Sequence, residues 1–216
     1  MSKKRIADII INLIMFISTA YALLCYFLGP ADAFGSHGVA CFKFFTTDSN
    51  ILVAVASLLC AIFLFKKTEI PQWVMVLKFA GTISVTVTFL TVLLFLAPMG
   101  VLKTGHFETV FLYFAGNAFL LHFSTPVLSI ISTTILEKEY PISKKQSLCG
   151  VLPTLVYAVI YLFMVVIFHK WEDFYGFTFG GRYQFVPIVI IVMGLFSLIL
   201  CLCEYKIMNH KVAKKD

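Results

Sequence analysis

Long apolar stretches follow one another along the whole chain, each bounded by a short polar or glycine-containing segment. Six of them have about 20 residues or more, at approximately 7–28, 39–65, 74–97, 109–136, 148–169 and 183–205. A helix needs about 20 consecutive apolar residues to cross the hydrocarbon core of a bilayer. The pattern therefore predicts an all-α polytopic membrane protein, in which residues 1–216 form a single domain, a bundle of six transmembrane helices.

The composition supports a membrane protein over the other classes that a chain of 216 residues allows. Hydrophobic residues make up 60% of the chain and charged residues only 13%, whereas about a quarter of an ordinary soluble domain is charged. The chain is also too hydrophobic for a disordered protein. A cleaved signal peptide is a weaker interpretation of the first apolar stretch, because that stretch is longer than the apolar region of a signal peptide.

The basic residues are distributed unevenly between the two ends of the predicted spans. Thirteen of the 17 Lys and Arg residues lie at one end, and the four at the other are Lys43, Lys103, Lys170 and Arg182. By the positive-inside rule the richer side is cytoplasmic, so both termini are predicted to be cytoplasmic. This distribution explains the net charge of +6 without a nucleic-acid partner. The short loops favour a bacterial plasma membrane.

Polar residues inside the predicted spans indicate where chemistry is possible, because they are costly in a bilayer and usually functional. Residues 46–50, Thr-Thr-Asp-Ser-Asn, lie at the outer part of the second span, and His122 lies deep in the fourth. Pro126 follows His122 by four residues. Since proline lacks an N–H, it is expected to free the carbonyl of His122 and to kink the helix. Lys78 falls near the start of the third span, where we expect its long side chain to reach the interface.

A threonine and a histidine in one bundle are the elements of an activated nucleophile, in which the imidazole removes the hydroxyl proton. Thr46 and Asn50 share a helix face, whereas Asp48 points about 200° away from Thr46. Counted from the predicted span starts, His122 lies roughly 20 Å deep and Thr46 roughly 10 Å. Their contact therefore requires tilt, a kink or a change in span four. Helix capping and hydrogen bonding between helices are the alternative roles for this cluster.

The segment Lys43-Phe44-Phe45-Thr46, the spacing of Phe-Phe-Thr, two residues and Ser-Asn, and His122 before a proline-containing apolar run resemble a known family. This is the androgen-induced and androgen-dependent family of multi-pass membrane threonine hydrolases, including small bacterial six-span relatives. The resemblance covers the layout of most of the chain. It implies that Thr46 is the catalytic nucleophile, that His122 is its partner and that fatty-acid esters are cleaved. Thr47 remains an alternative nucleophile.

Together these features predict an intramembrane lipid esterase that takes an acyl-chain ester from the membrane lipids. Asn50, Asn117 and Ser49 are the candidates for binding the substrate or the oxyanion. The alternatives are an acyltransferase with the same pair, a non-enzymatic transporter or lipid-binding protein with His122 as a proton relay, and a purely structural bundle.

No cofactor and no metal are predicted, since the sequence has no P-loop, dinucleotide-binding glycine motif, zinc-ligand cluster or serine elbow. The third outer loop is rich in aromatic residues between positions 171 and 179. These aromatics either form a belt at the membrane interface or cover a cavity from outside.

Overall fold

The computed structural model describes residues 2–29 and 37–209, and this part of the chain is built from helices. The main helices are α1 (Lys3–Leu28), α2 (Phe45–Phe65), α3 (Gln72–Thr104), α4 (Thr109–Phe114), α5 (Gly116–Leu136), α6 (Lys144–Ile167) and α7 (Tyr183–Asn209). All of them except the short α4 are long and apolar enough to cross a membrane. The predicted all-α bundle with six spanning helices is confirmed.

Several of these helices change their winding along their length. Tight 3₁₀ turns cover Gly38–Lys43 before α2, Leu148–Val151 in α6 and Tyr183–Phe185 in α7. Wider π turns cover Val92–Leu96 in α3, Leu120–Ser124 and Ser132–Leu136 in α5, and Leu162–Ile167 in α6. Such π turns are rare and often lie at functional sites, and one of the two in α5 contains His122.

The fourth span begins later than the apolar pattern predicts. Ala115 is extended and Gly116 has a φ of 53°, a left-handed conformation that glycine adopts without steric cost. The chain therefore breaks between α4 and α5, and the spanning helix begins at Gly116. His122 is then six residues, or about 9 Å, from the start of its helix instead of the predicted distance of roughly 20 Å, and Thr46 lies in the first turn of α2, which begins at Phe45.

Helix α3 lies at the centre of the bundle, and almost all residues between positions 74 and 88 are buried. It packs against α2 on one side and contacts α5, α6 and α7 on the others, while α1 packs against α2 and α5. Gly81 permits a close approach of α3 to α2, because an added Cβ there would lie 2.7 Å from the Cα of Val53. Small residues allow helices to pack backbone to backbone in this way.

The outer faces of the bundle expose large apolar side chains. On α7, Ile188, Ile191 and Val192 are each more than half exposed, and Ile17 on α1 is 62% exposed. Rows of exposed isoleucine and valine along several helices are stable only in contact with lipid tails, which supports an integral membrane protein.

A charged network is buried between four helices. Lys78 is completely buried, and its ammonium lies 3.4 Å from the carboxylate of Glu137 on α5. It also donates to the amide oxygen of Asn12 on α1 and, at 3.0 Å, to the hydroxyl of Ser57 on α2. Asp8 accepts a hydrogen bond from Asn12 at 2.9 Å. The expectation that Lys78 reaches the interface is wrong, because neighbouring helices supply acceptors around its ammonium.

Candidate active site

The predicted nucleophile and base are in contact. The hydroxyl Oγ1 of Thr46 lies 3.3 Å from Nε2 of His122. Thr46 is in the first turn of α2, and His122 is in the second turn of α5. Both side chains are half-buried. Thr46, rather than its neighbour Thr47, is the threonine whose hydroxyl contacts the imidazole.

A backbone carbonyl orients the imidazole of His122. Its other nitrogen, Nδ1, lies 2.7 Å from the carbonyl oxygen of Tyr113 at the end of α4. A carbonyl can only accept a hydrogen bond, so in this contact Nδ1 carries the proton and Nε2 presents its lone pair to Thr46. In serine hydrolases a carboxylate holds the histidine in this tautomer. The sequence did not predict Tyr113 in this role, because the contact depends on the break at Ala115 and Gly116.

The π turn in α5 explains how the two helices are joined beside the site. The N–H of Thr125 bonds to the carbonyl of Leu120, five residues earlier. In this register the next bond would join residue 126 to the carbonyl of Leu121, and Pro126 has no N–H to donate. The carbonyl left free by Pro126 is therefore that of Leu121, one residue before the position expected for an α-helical register.

Asn50 uses this free carbonyl. Its side-chain nitrogen donates to the Leu121 oxygen at 3.0 Å and to the Thr46 oxygen at 2.8 Å. Asn50 is completely buried. Since both of its N–H bonds are engaged, the side chain acts as a clip between the first turn of α2 and the turn that carries His122. This geometry makes Asn50 a positioning residue rather than a donor to an oxyanion.

The other two predicted binding residues lie away from the Thr46–His122 contact. The hydroxyl of Ser49 is 3.1 Å from the Thr46 carbonyl and 3.1 Å from the hydroxyl of Thr88 on α3. Asn117 is half-buried in the first turn of α5. Its neighbour Ala118, rather than Asn117, lies in the wall of the cavity beside His122.

The Thr46–His122 pair lines a cavity of about 130 Å³. Aromatic side chains form much of its wall: Tyr26, Phe44, Tyr113, Phe174 and Tyr175. The last two belong to the loop between α6 and α7, so this part of the aromatic loop covers the cavity. The hydroxyl of Tyr175 accepts a hydrogen bond of 3.0 Å from the backbone N–H of Phe45, which fixes the loop to the start of α2. Burial raises the pKa of Tyr175 to about 12, so this hydroxyl keeps its proton at neutral pH.

Asp173 holds the covering loop in shape. Its carboxylate accepts hydrogen bonds of 2.6 Å from the hydroxyls of Tyr161 and Thr178, and one of 2.9 Å from the backbone N–H of Phe177. Partial burial raises the pKa of Asp173, but the hydrogen bonds from Thr178 and Tyr161 outweigh burial and hold the pKa below its usual value. The loop that places Tyr175 over the site therefore depends on an ionised carboxylate.

The described residues contain no cluster of three or more His, Cys, Asp or Glu side chains that could hold a metal ion. Comparison of the chain with protein-family models, with curated proteins and with solved structures gives no match.

Proposed function

We propose that this protein is an intramembrane esterase that hydrolyses a carboxylic ester of a membrane lipid, with Thr46 as nucleophile and His122 as general base. One observation carries the proposal: the Thr46 hydroxyl is 3.3 Å from the imidazole nitrogen whose lone pair is directed at it by the bond from Nδ1 to Tyr113. These residues are far apart in the sequence and meet beside a cavity. Nucleophile, base and orienting group in this order are typical of acyl-transfer enzymes.

The reaction proceeds in two halves. Nε2 of His122 takes the Thr46 proton as Oγ1 attacks the ester carbonyl, and the bond from the acyl carbon to the alkoxy oxygen then breaks. The imidazolium returns this proton to the leaving alkoxide, so that an alcohol departs and an acyl-threonine remains. Water then attacks the acyl group, with His122 again as base, to release the fatty acid and restore Thr46. The positive end of the α2 dipole lies at the reacting carbonyl and favours the negative charge that develops there.

The contact of 3.3 Å suits a resting enzyme. Catalytic hydrogen bonds are often somewhat long before substrate binds and shorten in the complex. The clip by Asn50 limits the movement that this shortening requires, because it joins the backbone of Thr46 to the turn that contains His122.

The proposed orientation places the site at the extracytoplasmic end of the bundle. Its support is the excess of Lys and Arg at the opposite end. The predicted cytoplasmic location of the C-terminus depends in part on charged residues after Asn209. These residues, like the first residue of the chain, lie outside the described residues. A membrane-impermeant maleimide applied to intact bacteria is expected to label Lys103→Cys and not Lys66→Cys. The opposite pattern would reverse the assigned topology.

Labelling by a fluorophosphonate probe tests the proposed chemistry. Wild type and Thr47→Ala are expected to be labelled, whereas Thr46→Ala and His122→Ala are not, because the Thr46 hydroxyl lies 3.3 Å from the imidazole that activates it. Ester turnover should fall by at least about 10³-fold in the two unlabelled variants. Labelling that persists in Thr46→Ala contradicts the assignment. A folded wild-type protein that is not labelled would favour transport or lipid binding without chemistry.

Product analysis separates hydrolysis from transfer. With an ester substrate in detergent and a second alcohol added, a hydrolase yields free fatty acid, whereas an acyltransferase yields a new ester. Both outcomes use the same acyl-threonine, so they distinguish how the intermediate is resolved. We expect free fatty acid as the main product, because the cavity of about 130 Å³ beside His122 has room for a water molecule next to the base.

A further inference from the structure

Thr46 stands at the boundary between two cavities of different character. The cavity of about 130 Å³ described above contains His122. A second cavity of about 50 Å³ lies on the other side, between α3, α6 and α7. Thr46, Leu96 and Tyr175 line both cavities, and His122 lines only the first. A reacting carbonyl at Thr46 therefore has two directions in which its substituents can extend.

The second cavity is narrow and almost entirely apolar. Ala158 of α6 lines it together with Val87 of α3 and Met193 of α7. The hydroxyl of Thr88 bonds to the Ser84 carbonyl of its own helix, and those of Tyr157 and Tyr161 donate to the Lys43 carbonyl and the Asp173 carboxylate. The cavity therefore offers methyl and methylene groups to an occupant, and an unbranched hydrocarbon chain is the shape that fits a narrow slot of this kind.

This slot opens toward the surrounding hydrocarbon. A groove of about 440 Å³ between α3 and α7 shares Thr91, Val189 and Met193 with the slot. Along the groove, Leu94 is 66% exposed and Val192 is 56% exposed, so the groove faces the lipid tails. Because the slot and the groove share lining residues, they form one path from Thr46. This path leads sideways into the lipid between α3 and α7.

The chemistry decides which part of the ester occupies which cavity. The acyl chain and the alkoxy group are different substituents of the carbonyl carbon, and the imidazole must return its proton to the alkoxy oxygen. The alcohol part therefore lies on the side of His122, in the first cavity. The acyl chain is left with the slot on the other side of Thr46.

We propose that the slot between α3, α6 and α7, with its groove, is the binding site for a long, unbranched acyl chain, which enters laterally between α3 and α7. The inference rests on the proposed esterase function and adds to it the place of the acyl chain and the residues that select its length, Ala158 in the slot and Val192 in the groove. Because the chain enters from lipid rather than from water, the gain for each methylene comes from packing in the slot, and kcat/KM should rise with acyl length until the path is full.

Measurement of kcat/KM for p-nitrophenyl esters of increasing acyl length tests this site. Ala158→Phe narrows the slot and should lower the ratio of kcat/KM for the palmitate ester to that for the butyrate ester by at least about tenfold. Val159→Phe is the matched control, since it adds an aromatic ring at the next, lipid-exposed position of α6 and should leave this ratio unchanged. Val192→Trp, at the groove, is a second variant with room for the larger side chain, and the ratio should fall there as well.

Ala118→Phe provides the opposite control, because Ala118 lies in the wall of the cavity beside His122. At constant acyl length, Ala118→Phe should lower kcat/KM for esters of larger alcohols. The dependence of kcat/KM on acyl length should stay as in wild type. An unchanged acyl-length profile in both Ala158→Phe and Val192→Trp overturns the assignment of the slot. Absence of all ester turnover and of fluorophosphonate labelling in folded wild type would instead refute the esterase itself, so the two failures are distinct.

Discussion

The substitution Asn50→Ala tests whether the site is held together by the clip between α2 and α5. It removes the hydrogen bonds from Asn50 to the carbonyls of Thr46 and Leu121. The Leu121 carbonyl then loses this donor, and position 126 has no backbone N–H to replace it, because it is a proline. We expect the turn carrying His122 to shift relative to Thr46 while the bundle stays folded.

The size of the effect follows from these contacts. A hydrogen bond between membrane helices contributes about 0.6 kcal/mol on average, and a buried carbonyl left without a partner costs about 1–3 kcal/mol. Part of this cost is offset, because the Asn50 side-chain oxygen has no partner among the described residues and is removed as well. A net loss of about 1–2 kcal/mol corresponds to a fall in Tm of a few degrees. A displacement of about 1 Å at the site lowers kcat by about 10²-fold.

The assay combines ester hydrolysis with thermal unfolding in detergent. Ser49→Ala is the matched control, since Ser49 also bonds to the Thr46 carbonyl but its other partner is Thr88 on α3. Asn50→Ala should lower kcat far more than Ser49→Ala does, with little change in KM in either variant. Wild-type kcat in a folded Asn50→Ala protein would refute the role of the clip, as would an equal loss in Ser49→Ala.

Three further perturbations have defined outcomes. Tyr175→Phe leaves the Phe45 N–H without its acceptor, so unfolding free energy should fall by about 1 kcal/mol and ester turnover should fall with it; unchanged turnover would show that the loop does not position α2. Lys78→Met leaves the Glu137 carboxylate buried without its cation and should destabilise the fold by about 3–5 kcal/mol. Most of this loss should be recovered in the double variant Lys78→Met/Glu137→Met. Additive losses of stability in the double variant would contradict the pairing. Because the pKa of Asp173 is held below its usual value, its contribution to stability is present above the unfolded pKa of about 3.9 and is lost as the pH falls through the lower folded pKa. Trp171 fluorescence should report this acid transition in wild type. The same transition in Asp173→Asn would exclude Asp173 as its cause.

The sequence predicts the spans well and the details of the site less well. Apolar stretches longer than the hydrocarbon core can form only spanning helices, so the six-helix bundle follows from hydropathy alone. The pairing of Thr46 with His122 follows only from the resemblance, because the predicted depths disagree. Both predicted span starts are misplaced: the spanning helices begin at Phe45 and Gly116 rather than near positions 39 and 109, and the apolar pattern shows no sign of the break before Gly116.

The parts that the sequence does not predict depend on backbone geometry. The role of Tyr113 depends on where its carbonyl points, and the role of Asn50 depends on the π register of α5. The periodicity of apolar side chains, at about 100° per residue of an α-helix, carries no information on the direction of one carbonyl or on a π register. Lys78 is a different case. Because it lies near a predicted span end, the sequence suggests an interfacial side chain and does not indicate the buried acceptors that surround it.

Lys78 also constrains the order in which the membrane domain is assembled. A lysine in a single spanning helix costs up to about 2.5–3.5 kcal/mol to insert, the value at the helix centre, and Lys78 lies in the second turn of α3. When α3 leaves the ribosome, α1 and α2 have already been made, and they supply the acceptors of Asn12 and Ser57. The carboxylate of Glu137 arrives only with α5. Helix α3 therefore inserts most readily against a hairpin that α1 and α2 have already formed. The later docking of α5 neutralises the charge of Lys78 and fixes the first three helices in their final arrangement.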